Sequence, residues 1–406
     1  MKRLYFCVAL GCWLLADATV GFAASGFTGV AHVRTASGGI GAPIANVQIR
    51  FLPERGGPAV TARTDARGSY RVDLARGRYW AFASHPAYED YSSVPGFFVV
   101  TGSGHQTGNF FLREPGATTV LVLRHAEKGP PASPDTLTPL SPAGDARARE
   151  LAHVAMKAGV SGIYVTEFLR TQQTAKPLAD ALQIAPTLYS QVPSLVTSIA
   201  AEHRGDVVLV VSHGGLVEQT LGQLSGTSPS GSLTDDFDNL FLVTSRLPGG
   251  DVLHLQYAAA SLPDSSPWNV RSRTTLLLVP RVEPGAAGIA RGQALKQALG
   301  KAGVSAIYCN APAAVVAAVA AASGLTPAPY RTSDMASFAR RVLADHAGKT
   351  VLIGARPKDV ASIIKAVGGY PSIPVFTDEY DNLVVVTVDG AGDARVTSLQ
   401  YGAASR

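Results

Sequence analysis

The sequence predicts a multidomain chain, an N-terminal β-sandwich followed by two layered α/β domains. Three observations predict it. Up to about residue 112, short alternating runs are punctuated by Gly and Pro. From Thr118 onward, continuous apolar runs alternate with helical stripes, the grammar of an α/β fold. Segments of this second pattern then recur later in the chain, in the same order. The expected division is an export signal over residues 1–24, a sandwich over 25–115, and α/β domains over 116–262 and 273–406.

At 406 residues the chain is too long for one ordinary domain. A hydrophobic fraction of 46% with 16% charged residues supports well-filled cores. The net charge of +5 is not gathered into Lys/Arg runs or an arginine stripe interleaved with aromatics, so nucleic acid is not an expected partner. Lys2 and Arg3, the apolar stretch Leu4 to Ala16, and Gly21-Phe22-Ala23-Ala24 together read as a cleavable export signal. An uncleaved anchor and lipidation at Cys12 are the alternatives. The expected location is periplasmic or secreted, without stable membrane insertion, since no later apolar run is long enough to span. Removal of Cys7 and Cys12 with the signal leaves Cys309, so no internal disulfide is expected.

Within the sandwich, Val30–Val33, Val47–Phe51, Tyr70–Val72 and Tyr79–Phe82 read as strands. The segment Thr64-Asp65-Ala66-Arg67-Gly68-Ser69-Tyr70 sets a turn before a strand, and Gly77-Arg78-Tyr79 opens another. Carried by Thr64, Asp65, Gly68, Tyr70, Gly77 and Tyr79, the pattern resembles the carboxypeptidase regulatory-like, prealbumin-type β-sandwich. That resemblance implies a packing or spacer module rather than a reactive one.

Thr118 to Leu123 reads as a strand buried on both faces. Ser141-Pro142 starts a helix with a capping hydroxyl and a proline in its first turn, and Ala148, Leu151, Val154, Ala155 and Ala158 form its apolar stripe. A strand over Gly162 to Val165, a helix over Arg170 to Leu182, a strand over Asp206 to Ser212 and a helix from about Leu216 to Leu224 follow. Thr118-Thr119-Val120-Leu121 is echoed by Thr274-Thr275-Leu276-Leu277, and Ala158 to Tyr164 by Ala302 to Tyr308. Asp238-Asn239-Leu240 recurs as Asp381-Asn382-Leu383, and Leu255-Gln256-Tyr257 as Leu399-Gln400-Tyr401. The offset is 156 at Thr118 and Thr274 but 144 at Ala158 and Ala302. This drop is read as a shorter connection between the first two strands of the first copy.

The chemistry gathers at strand ends, where α/β sheets bind ligands. Arg124-His125-Ala126-Glu127-Lys128 closes the first strand. Arg170 opens the helix after the second, in Phe168-Leu169-Arg170-Thr171-Gln172-Gln173-Thr174, and His213 follows Val208 to Ser212. In this combination, residues Thr118 to Tyr257 resemble the histidine phosphatase (phosphoglycerate-mutase-like) superfamily. The resemblance implies a phosphate pocket of Arg124, His125, Arg170 and His213, with His125 the nucleophile and a phosphohistidine intermediate. It also implies three-layer α/β domains of that type. The physical logic is independent of it. Guanidinium forks match phosphate oxygens, a neutral imidazole can attack phosphorus, and a second imidazole can donate to equatorial oxygens. Thr166 and Thr174 read as supports of the pocket, and Thr174 joins Arg124, Arg170 and His213 as an expected substrate-binding group.

No metal or cofactor is expected, because the sequence has no HExxH, paired-cysteine or acidic ligand cluster. Gly214 follows His213, so the His-Asp arrangement of the acid-phosphatase branch is absent. Glu127 and Glu167 are the leading candidates for the leaving-group acid, with Asp235 and Asp236 behind them. A weak acid favours good leaving groups such as phosphohistidine, acyl or aryl phosphates. In the second copy Pro280-Arg281 stands at Arg124-His125, Ala314 at Arg170 and Arg356 at His213, so it reads as an inactive copy packed against the first. The expected function is an exported phosphatase acting on small phosphorylated substrates. The alternatives are a phosphate-ligand binding protein without turnover and an envelope interaction protein working through its sandwich.

Overall fold

The computed structural model describes residues 25–34, 40–93, 96–102, 104–113, 117–229, 233, 236–245, 249–261, 266–280, 285–310, 314–331, 333–368, 379–389 and 394–404. The export signal, Asp235 and Arg281 lie outside the described residues.

Alternating strands build the N-terminal region into two five-stranded sheets. Ser25–Arg34 pairs with Ile40–Pro43, Ser69–Asp73, Gly104–Thr107 and Phe110–Arg113 in one. Gln48–Pro53, Val60–Arg63, Gly77–His85, Tyr88–Ser92 and Phe98–Val100 form the other. Inward residues including Phe27, Ile49, Phe51, Tyr70 and Phe110 make the core between them. The motif residues act as struts. The Thr64 hydroxyl accepts from Val47 N–H and donates to the Ile44 carbonyl. Asp65 Oδ1 accepts from Arg67 and Ser69 N–H, each at 2.8 Å. Gly68 has φ +73°, and a Cβ there would lie 2.8 Å from Pro43 Cβ, so a side chain is doubly excluded.

The first α/β unit starts at β1 (Thr118–Arg124) and continues through α1 (Pro142–Ala155), β2 (Val160–Val165), α2 (Leu169–Leu182), β3 (Thr187–Leu188) and α3 (Val192–Glu202). It ends with β4 (Val207–Ser212), α4 (Leu216–Ser225), β5 (Asn239–Ser245) and β6 (Gly250–Gln256). The sheet order is β3-β2-β4-β1-β5-β6, parallel from β3 to β1, with β5 and β6 antiparallel. The unbroken apolar run of β1 is explained by its two faces. Leu121 and Leu123 pack with Leu151 of α1 and Leu178 of α2, while Val120 and Val122 pack with Leu195, Ile199 and Leu221 of α3 and α4. Each such buried side chain contributes roughly 1.5–3 kcal/mol.

The second unit comprises β7 (Thr274–Pro280), α5 (Gly285–Ala298), β8 (Val304–Cys309), α6 (Ala314–Ser323), α7 (Met335–Asp345), β9 (Thr350–Ala355), α8 (Pro357–Ala366), β10 (Asn382–Val388) and β11 (Ala394–Gln400). Its sheet order, β8-β9-β7-β10-β11, is that of the first without the short edge strand. Tyr308 and Ala328 keep a single parallel bridge at that edge. Details below the motif level also repeat. Arg147 Nη1 donates to the carbonyls of Tyr257 and Ala259, and Arg291 Nη1 to those of Tyr401 and Ala403. Gln256 reaches Asp238 and Gln400 reaches Asp381.

The connection lengths run opposite to the sequence expectation. Residues 125–141 separate β1 from α1, whereas only residues 281–284 separate β7 from α5. The falling offset therefore marks extra chain in the first unit, in the connection that opens with His125.

Candidate active site

Three adjacent parallel strands, β2, β4 and β1, end on one edge of the first sheet. That order places residues from three distant stretches of sequence together. His125 N–H donates to the Ser212 carbonyl at 2.8 Å, tying the end of β1 to the end of β4. Arg124 is half-buried as the last residue of β1, and His125 follows it at 2% exposure. Arg170 sits in the first turn of α2, and His213 lies between β4 and α4.

The geometry pins the His125 tautomer. Its Nδ1 lies 2.7 Å from the Ala126 carbonyl, which can only accept, so the proton is on Nδ1. Its Nε2 accepts from Arg170 Nε at 3.2 Å, so the lone pair is on Nε2. Burial lowers the pKa of His125 to about 3. The Ala126 hydrogen bond pulls the other way, while Arg124, Arg170 and Lys128 reinforce the fall. The ring is neutral at physiological pH and carries its lone pair on the side of the arginines.

Burial also lowers the pKa of His213, against the pull of the Gly214 backbone and the Glu167 charge, with Arg170 and Arg124 adding to the fall. Its ring packs edge-on against Phe168, centroids 4.6 Å apart. Arg170 in turn stacks on Phe168, 4.2 Å from the ring centroid. On the other side Phe237 faces Arg124 at 4.7 Å and the His125 ring at 5.9 Å. Two phenylalanines thus flank the cationic and imidazole groups.

Two groups went unnoticed in the sequence. Asp135 lies in a short 3-10 turn within the long 125–141 connection. Arg170 Nη1 donates to its carbonyl and Nη2 to its Oδ2, both at 3.0 Å. The Thr138 hydroxyl and then Arg170 hold the Asp135 carboxyl below its usual range. Phe237 had no signal beyond its place before the Asp238-Asn239-Leu240 repeat. Asp135, within Gly-Pro-Pro-Ala-Ser-Pro-Asp, sits in a stretch without periodicity.

Several expectations are corrected. Glu127 does not suit the role of a proton donor, because Arg147 grips it through Nε at 3.0 Å to both oxygens and through Nη2 at 2.7 Å to Oε1. Burial raises the Glu127 pKa, but the Arg147 hydrogen bonds and charge outweigh it, leaving the carboxyl below its ordinary value and ionised. Asp236 is equally unsuited, buried and paired with Lys301 at 2.9 Å. Thr174 positions rather than binds. Its fully buried hydroxyl accepts from Ala126 N–H at 3.0 Å and donates to the Arg170 carbonyl at 2.7 Å. Thr166 meets the Thr171 hydroxyl at 3.0 Å, supporting the first turn of α2. Glu167 is exposed, with its charge acting on His213. In the second unit, Arg356 closes its fork on Asp359, at 2.6 and 3.1 Å. Among the described residues no group of three or more His, Cys, Asp or Glu could hold a metal ion. No helix there is long and apolar enough to cross a membrane.

Comparison with known proteins gives two family matches. Residues 30–122 match the carboxypeptidase regulatory-like domain, and residues 120–191 match branch 1 of the histidine phosphatase superfamily. The second match includes Arg124, His125 and Arg170 and ends before His213. No curated protein matches the sequence. Similar solved structures include the protein histidine phosphatase SixA complexed with tungstate, at 23% identity and TM-score 0.29, covering 35% of this chain and 95% of that one. A mycobacterial glucosyl-3-phosphoglycerate phosphatase matches at 14% identity and TM-score 0.29, covering 34% and 97%. The alpha-ribazole phosphatase of Shigella flexneri matches at 15% identity and TM-score 0.27, covering 32% and 96%.

Proposed function

We propose that this chain, which matches the histidine phosphatase superfamily over residues 120–191, is an exported phosphatase working through a phosphohistidine on His125. The observation that carries the reading is the His125 imidazole, neutral, fixed as the Nδ1–H tautomer, with Nε2 turned toward Arg170. In the first step Nε2 attacks phosphorus, the bond to the leaving oxygen breaks, and its electron pair departs with the leaving group. The ring becomes positive as the N–P bond forms, and the Ala126 carbonyl stabilises that charge through Nδ1–H. Arg170 shifts its Nε donor from Nε2 to a phosphate oxygen, Arg124 holds another, and His213 donates to a third. In the second step water attacks phosphorus, the N–P bond breaks, and the electron pair returns to Nε2. The water proton leaves with the released phosphate or to solvent.

With Glu127 locked to Arg147, Glu167 is the remaining described candidate for protonating the leaving group. It is exposed, so substrates with good leaving groups, phosphohistidine, acyl or aryl phosphates, suit the site. The second unit is read as a diverged copy of the same phosphoglycerate-mutase-like fold that packs against the active one. The sandwich serves as a spacer.

A non-turnover phosphate-binding role is the second reading. What favours it is the self-satisfied resting site, with Arg170 engaged by His125 Nε2 and by both oxygens of Asp135 that face it. Incubation with an aryl phosphate, beside His125→Ala, decides between them. Release by the wild type and loss in the variant supports the phosphatase. Equal release from both rejects His125 as nucleophile.

A further inference from the structure

The second unit lacks the site histidines, yet one of its side chains reaches the segment that flanks the first unit's site. Lys301, just beyond α5, is 4% exposed. Its ammonium crosses to the first unit and donates to Asp236 Oδ2 at 2.9 Å and to Asn239 Oδ1 at 3.1 Å. Asp236 is 1% exposed, so two opposite charges are held out of water together. A pair of this kind costs desolvation on both sides and persists only in exacting geometry. Asn239 Oδ1 also accepts from His254 Nε2, whose proton is fixed there because Nδ1 accepts from Trp268 N–H.

Phe237 lies between these two anchors. Its N–H donates to Ser261 Oγ at 2.7 Å, and its ring bears on Arg124 and His125. Lys301 therefore grips the chain on both sides of the residue that walls the nucleophile and stacks on a phosphate-binding arginine. We propose that the second unit completes the active site, with Lys301 as a positioning residue that acts through Asp236 and Phe237 to hold Arg124 and His125 in place. The inference rests on the phosphatase reading for its kinetic readout.

The molecule contains its own control. Lys157 of the first unit donates to Glu379 Oε2 at 2.8 Å and Asn382 Oδ1 at 3.3 Å. Those residues occupy the places of Asp236 and Asn239 in the repeat, and Tyr380 occupies that of Phe237. The partners are exchanged as across a two-fold axis. Lys157 makes the corresponding link at an end without a histidine nucleophile, in a more exposed pair, its side chains 11% and 33% exposed against 4% and 0% for Lys301 and Asp236.

The test compares Lys301→Met, Lys157→Met and Phe237→Leu in the full chain. It measures folding temperature, turnover of an aryl phosphate, and affinity for inorganic phosphate by calorimetry. Lys301→Met is expected to lower kcat/KM roughly 10-fold or more, the scale of a small misplacement of reacting groups. Lys157→Met, which breaks a partly exposed pair, is expected to lose less stability and to stay within about twofold of wild-type kcat/KM. Phe237→Leu leaves the buried charges intact and is expected to reproduce the kinetic loss, so a Lys301 variant that fails to fold does not end the test. Adding Lys301→Met to Phe237→Leu should cost no further activity, because the two act in series. Equal kinetic losses in Lys301→Met and Lys157→Met, or full activity in Phe237→Leu, would overturn the proposal. A wild type without turnover overturns the phosphatase reading alone. Phosphate affinity then decides the positioning claim, which requires weaker binding in Lys301→Met than in Lys157→Met.

Discussion

The two α/β units share a strand order and much of their internal hydrogen bonding, and they differ at the carboxyl ends of their parallel strands. In the first, β1 ends on Arg124 and leads into His125. In the second, β7 ends on Pro280, Ala314 stands where Arg170 does, and Arg356 is closed on Asp359. The cores are interchangeable in kind, with apolar strands between helix pairs. What separates a candidate enzyme from a scaffold is a few side chains at the sheet edge plus the long 125–141 connection. Arg147 and Arg291 make this concrete. Both anchor the segment after the last strand of their unit, but Arg147 also holds Glu127 in the loop after His125. A structural arginine in both units has taken on a second partner in one.

The largest way to break this comparison is at His125, the proposed nucleophile. His125→Ala should lower turnover on the order of 10³-fold or more, while Arg356→Ala at the matching edge of the second unit leaves it unchanged. Steady-state assay with an aryl phosphate measures both. Glu167→Gln should come next. If Glu167 protonates the leaving group, alkyl phosphates slow about 10-fold while aryl phosphates, with better leaving groups, slow little. Equal slowing of both classes would remove Glu167 from that role.

Asp135 belongs to the connection that the second unit lacks. Asp135→Asn removes the carboxylate competing with substrate for Arg170, so affinity for inorganic phosphate should rise about two- to fivefold, the modest scale of an exposed ion pair. Weaker phosphate binding would instead make Asp135 an orienting group for the guanidinium. A separate effect is on stability against pH. His125 titrates near 3 in the fold but near its ordinary 6.5 when unfolded, so the unfolded chain binds the extra proton between those values. Stability is lost as pH falls from about 6.5 toward 3, and His254, also lowered to about 3, adds to the loss. His125→Asn should therefore show a shallower fall in folding temperature between pH 6.5 and 4.5 than the wild type.

Much of this architecture is legible in the sequence because burial writes itself as periodicity. Continuous runs such as Thr118 to Leu123 can only be central strands, and the Ser141 cap marks α1 to the residue, accepting from Gly144 N–H at 3.1 Å. The positions of Arg124, His125, Arg170 and His213 are legible for a related reason, since each sits directly at the end of such a run or in the first turn of the helix after it. What the sequence hides is pairing between distant groups. Nothing near Glu127 announces that Arg147 neutralises its use as an acid, and nothing near Asp135 announces Arg170. Lys301 reads as an ordinary surface lysine at the end of a helix, and only the fold reveals its burial. The connection length was legible too, but its sign was inverted in the reading of the offset.

The central claim is that His125 Nε2 takes the phosphoryl group. It is tested most directly by mixing the protein with a labelled acyl or aryl phosphate, quenching in alkali, and mapping the label. The account requires an acid-labile, alkali-stable label on the peptide containing His125, absent from His125→Ala. Turnover with the label on another residue, or turnover that survives in the alanine variant, would contradict it.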